Sequence, residues 1–63
     1  MNNIKAKLEK ELEFAKKMKM EYGDKIVFEP KLRSAHLAMY DFYNGMEEAL
    51  INAITIVEEE STK

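Results

Sequence analysis

The sequence predicts an all-α protein: a two-helix antiparallel hairpin that assembles into a four-helix bundle as a homodimer. Three observations carry this. Apolar residues recur at three- and four-residue spacings through both halves of the chain. A segment bounded by Gly23 and Pro30 separates the halves. The second half is apolar over more of its circumference than one partner helix can cover. At 63 residues there is room for a single domain, residues 1–63, and a chain this short buries about 60% of the surface that its unfolded form exposes. With no cysteine, disulfides and thiolate metal sites are excluded, and oligomerisation is the remaining route to stability.

The first helix is expected over residues 3–22. Asn2 or Asn3 can cap it, and Ile4, Leu8, Leu12, Ala15 and Tyr22 follow one another at spacings of four, four, three and seven. Phe14 and Met18 widen that stripe, while Lys16, Lys17 and Lys19 suit the negative end of the helix dipole. Gly23 fits the left-handed position past the last turn. Residues 23–29 are expected as a loop, with Ile26-Val27-Phe28 extended across the open end of the hairpin and Phe28 plugging its core. Pro30 disfavours a helical Glu29 and suits a first helical position.

The second helix is expected over residues 30–59. It would be about 45 Å long against about 30 Å for the first, leaving the apolar octet 50–57 without a partner inside the chain. Leu32, Ala35, Met39, Phe42, Met46, Ala49, Ala53 and Val57 form one stripe, with Tyr40, Tyr43, Leu50, Ile51 and Ile54 beside or behind it. Gly45 interrupts this helix at a cost of about 1 kcal/mol relative to alanine, which points to a place where another backbone comes close. The expected interface is therefore Met39, Phe42, Tyr43, Gly45, Met46, Leu50, Ile51, Ala53, Ile54 and Val57, and two hairpins packed together would cover it.

The net charge of −2 hides an asymmetry. Residues 1–33 carry nine Lys/Arg against six Asp/Glu, and residues 34–63 carry one lysine against six acids. That polarity favours antiparallel pairing, both within the chain and with a second copy. The lysines of the first helix alternate with glutamates and form no single-sign stripe, so nucleic acid is not the expected partner. No apolar run approaches the 18 to 20 residues of a membrane span, and the first ten residues contain no signal-peptide core, so a cytoplasmic location is expected.

Few residues here could carry chemistry. Asp41, Asn44, Glu47 and Glu48 form a polar ridge around Gly45, but hard cations need several converging oxygens and di-metal bundles use Glu-x-x-His pairs. Neither Glu47 nor Glu48 has a downstream histidine. The ridge is expected to satisfy the hydroxyls of Tyr40 and Tyr43 and to meet a second subunit. The five methionines read as core filler. No glycine-rich phosphate loop, nucleophile elbow or zinc spacing occurs, and no catalytic, cofactor-binding or metal-binding residue is assigned.

The segment from Leu32-Arg33-Ser34-Ala35 through Asp41-Phe42-Tyr43-Asn44-Gly45-Met46-Glu47 to Leu50 resembles the second helix of HepT-like proteins, all-α members of the wider HEPN group. Many of these are toxins whose antitoxins are small nucleotidyltransferases, so the resemblance implies a toxin–antitoxin setting and a partner of that kind. It covers the chain but only the N-terminal half of such a domain. The ribonucleases of that group use an arginine and a histidine separated by four to six residues on a later helix. Here only two residues separate Arg33 from His36, so that motif is missing, and Arg33 paired with an acid and a partly exposed His36 are expected instead. Glu58-Glu59-Glu60 sets three negative charges at the negative end of a helix dipole, an ending that favours truncation over a designed stop. The leading expectation is a non-catalytic helical assembly unit. The alternatives are part of a HEPN-type ribonuclease toxin, or a small RNA- or protein-binding adaptor.

Overall fold

The computed structural model describes residues 3–61. Two helices, α1 (Asn3–Phe28) and α2 (Arg33–Ser61), pack against each other as an antiparallel hairpin. A single turn of 3₁₀ helix, Pro30–Leu32, joins them. Among the described residues there is no strand. The cap considered at Asn2 lies outside the described residues, and Asn3 is already helical.

The first helix runs six residues beyond its expected end. Gly23 is helical, with no positive φ, so it does not terminate α1. The reason lies in the stripe: Ile26 falls four positions after Tyr22 and is half-buried against α2, a gain that an extended segment would forfeit. The expected loop 23–29 shrinks to Glu29 alone. Pro30 holds that residue outside the helical region (φ −129°, ψ 65°) and leads the 3₁₀ turn. Two backbone bonds seal the corner, Glu29 N–H to Lys25 O at 2.8 Å and Leu32 N–H to Glu29 O at 3.0 Å. Phe28 does not plug the core. It is 79% exposed, and Val27 beside it is exposed too.

Extending α1 removes the overhang. The helices are 26 and 29 residues long, about 39 and 43 Å, and Lys5 meets Glu58 at 2.9 Å across the open end. The octet 50–57 therefore has a partner helix: Leu50 is only 8% exposed, with Ala53, Ile54 and Val57 half-buried. Lys5 also offsets one of the three charges at the end of α2.

Two helices share one seam and no interior. Among the described residues the buried apolar side chains are Ala15 and Leu50 alone. The radius of gyration is 14.6 Å, against about 10.6 Å for a compact chain of this length. The accessible surface of 5008 Å² exceeds by about 800 Å² what a compact monomer of 7.4 kDa presents.

Candidate functional site

The seam is built from Leu8, Leu12, Ala15, Lys19, Tyr22 and Ile26 of α1, which recur at three- and four-residue steps and are all shielded from solvent to some degree. Facing them on α2 are His36, Tyr40, Tyr43, Glu47, Leu50, Ile54 and Val57, with the same recurrence. An aromatic chain lies along it. Tyr22 stacks on Tyr43 at 5.9 Å between centroids, and Tyr22 tilts against His36 at 5.8 Å. Tyr43 also takes edge contacts from Phe14 at 6.1 Å and Phe42 at 5.0 Å.

Two polar pairings lie in the seam, His36 with Glu29 and Lys19 with Glu47. His36 is 9% exposed, and its Nε2 lies 2.7 Å from Glu29 Oε1, the distance of a hydrogen bond from the ring N–H to a carboxylate. It is thus buried, not the partly exposed residue expected, because the corner folds Glu29 back over the first turn of α2. Arg33 is exposed and joins no ion pair among the described residues, so the expected acid partner is missing.

Lys19 is in the second pairing, and sequence reasoning assigned it only to a helix-dipole role. Its ammonium donates to Asn44 Oδ1 at 2.9 Å and to Glu47 Oε1 at 2.8 Å, and lies 5.8 Å from the centre of the Tyr40 ring. The hydrogen bond to Glu47 holds the Lys19 pKa above the ordinary lysine value, against the opposing effect of partial burial. Asn44 and Glu47 of the polar ridge therefore engage Lys19 instead of the tyrosine hydroxyls, while Asp41 and Glu48 are exposed. The signal was present: Lys19 stands four positions after Ala15 and seven after Leu12, inside the apolar stripe. Among the described residues no three His, Asp or Glu side chains converge as metal ligands would.

These contacts divide the hairpin into two unlike flanks. One carries an open groove lined by Lys16, Lys19, Met20, Gly23, Asp24, Tyr40 and Glu47, with the Lys19 ammonium held at its wall by Asn44 and Glu47. The other is apolar and open. Phe14 and Met18 of α1 border it, and Met39, Phe42, Met46, Ala49, Ala53 and Ile56 of α2 continue it. Phe42 is 60% exposed, Ile56 59% and Phe14 50%.

The ten expected interface residues divide accordingly. Met39, Phe42, Gly45, Met46 and Ala53 lie on the open flank or at its edge. Tyr43, Leu50, Ile54 and Val57 turn toward α1, and Ile51 stands beside Asn44 on the polar side, 44% exposed. Gly45 is not a close-approach position within the chain, since a Cβ built there meets nothing within 4 Å. The glycine with a neighbour is Gly23, whose Cβ would lie 3.5 Å from the Tyr40 ring.

No helix among the described residues is long and apolar enough to cross a membrane. Compared with protein-family models, with curated proteins and with solved structures, the chain matches none.

Proposed function

We propose that this chain is a non-catalytic, cytoplasmic assembly unit: a helical hairpin that associates with a second copy through its open apolar flank to form a four-helix bundle. The observation that carries the reading is the continuity of that flank across both helices. Single exposed apolar residues are ordinary, but Phe14, Met39, Phe42 and Ile56, with half-buried Met46, lie on one side of a molecule in which, among the described residues, two apolar side chains are buried. The chain exposes about 800 Å² more than a compact monomer of its mass, as an elongated hairpin with an uncovered flank does. On the non-catalytic side, the one histidine is buried against Glu29 and Tyr22 within the seam, while Arg33 is exposed. The resemblance of the 32–50 segment to HepT-like proteins supports a toxin–antitoxin setting with a nucleotidyltransferase-type partner as the biological context.

Sedimentation equilibrium tests the reading. The chain is expected to sediment as a dimer at micromolar concentration, and Phe42→Lys is expected to shift it to monomer while leaving the helical circular-dichroism signal. A well-folded wild-type monomer in that range overturns it.

A further inference from the structure

The open flank of α2 has a relief of large and small side chains that an antiparallel pair of copies can interdigitate. Its large side chains are Met39, Phe42, Met46 and Ile56, and its small ones Ala35, Gly45, Ala49 and Ala53. In an antiparallel pair about a two-fold axis, residue i of one α2 faces one fixed residue of the other. When the axis passes between Gly45 and Met46, Phe42 faces Ala49, Met46 faces Gly45 and Ile56 faces Ala35. Three of the four large residues then meet a small one, the interdigitation that close packing requires, while Met39 faces Asn52 and Ala53 faces Ala38. Sliding one copy by a heptad puts Phe42 on Phe42, or Phe42 on Ile56, and leaves alanines facing each other. A parallel pair also sets Phe42 on Phe42.

Charge selects the same register. It brings Lys31 of each copy beside Glu60 of the other, whereas a parallel pair sets like charges together at both ends. On α1, Lys19 reaches both Asn44 and Glu47, so Met18 stands level with the axis. The same two-fold then places Met18 against Met18 and Glu11 opposite Lys25. Gly45, where an added Cβ would meet nothing within 4 Å beyond its own turn of helix, becomes the place where the second α2 comes nearest.

We infer that the hairpin pairs with a second copy of itself antiparallel, α2 on α2 and α1 on α1, about a two-fold axis between Gly45 and Met46. This rests on the assembly reading above and specifies its geometry.

Single cysteines test it, since the chain has none of its own. A disulfide needs Cα atoms within about 7 Å. Gly45→Cys is expected to form a cross-linked dimer on oxidation. Ala35→Cys is expected not to, because its counterpart lies 21 residues away along the paired helices, about 31 Å. Mixing Ala35→Cys with Ile56→Cys is expected to give the mixed cross-linked dimer. Should Gly45→Cys lose its helical signal, Phe42→Cys mixed with Ala49→Cys reads the same register. A wild-type dimer in which Ala35→Cys links to itself overturns the antiparallel arrangement. A wild-type dimer in which neither Gly45→Cys nor the mixed pairs link overturns the register and leaves the assembly reading standing. A wild-type monomer overturns both.

Discussion

Gly23→Ala is expected to stabilise the hairpin. Within a helix, alanine is favoured over glycine by about 1 kcal/mol, because glycine loses more backbone freedom on folding. At Gly23 the added methyl would lie 3.5 Å from Tyr40 Cε2 and 3.8 Å from Cδ2, ordinary contact distances, so the ring need not move. An unfolding entropy of about 2.1 cal/mol/K per residue gives about 130 cal/mol/K for a chain of this size, so 1 kcal/mol raises the midpoint by about 8 °C. Thermal circular dichroism at fixed protein concentration measures this directly. Gly45→Ala is the comparison. It gains the same helix propensity with no neighbour in its own chain, but in the paired arrangement its methyl meets Met46 of the second copy. Its midpoint is therefore expected to depend more steeply on concentration than that of Gly23→Ala. A fall in the midpoint for Gly23→Ala would refute the reasoning and make Gly23 a true close-approach position.

Lys19→Met is expected to lower the midpoint more than Lys5→Met, because Glu47 is better shielded than Glu58 and keeps a carboxylate without its cation. The folded-state pKa of Lys19 is raised, so its contribution is fully present below the ordinary lysine value of about 10.4 and is lost as pH rises through the folded value. Alkaline titration of the wild type followed by circular dichroism should show that loss, and Lys19→Met should flatten it. His36→Ala is expected to cost about 1–2 kcal/mol by removing a shielded hydrogen bond and an aromatic contact, read as a lower urea midpoint. Wild type and His36→Ala are both expected to leave single-stranded RNA intact. Cleavage that disappears with the histidine would make His36 catalytic.

The two helices, their antiparallel pairing and the role of Pro30 were legible because each rests on a local cue, an apolar period or a fixed φ. The end of α1 was not. Gly23 is a strong local stop signal, but Ile26 continues the stripe, and burial against α2 outweighs what glycine costs in one turn. That single boundary produced the apparent overhang at 50–57, since the expected mismatch in length followed from it. The apolar stripe of α2 was visible, yet periodicity alone does not say which edge faces α1. Fixing that edge needs the phase of the partner helix, which is why Leu50 and Val57 were grouped with Phe42. The pairing of His36 with Glu29 was hidden for a related reason, because a corner of one residue brings together positions that a seven-residue loop would keep apart.

A seam without an interior also sets the order in which the molecule closes. Partners along it are seven positions apart at Glu29–His36 and 28 apart at Lys19–Glu47, and they lie near the two ends of the chain at Lys5–Glu58. Loop-closure entropy rises with the logarithm of that separation, so joining the open end first costs about 2 kcal/mol more than joining the corner first. The hairpin is therefore expected to zip from Glu29 outward, each shut turn shortening the loop for the next. Amide hydrogen exchange should record this as a gradient, with protection strongest beside the Tyr22–His36 contact and fading toward Lys5 and Glu58.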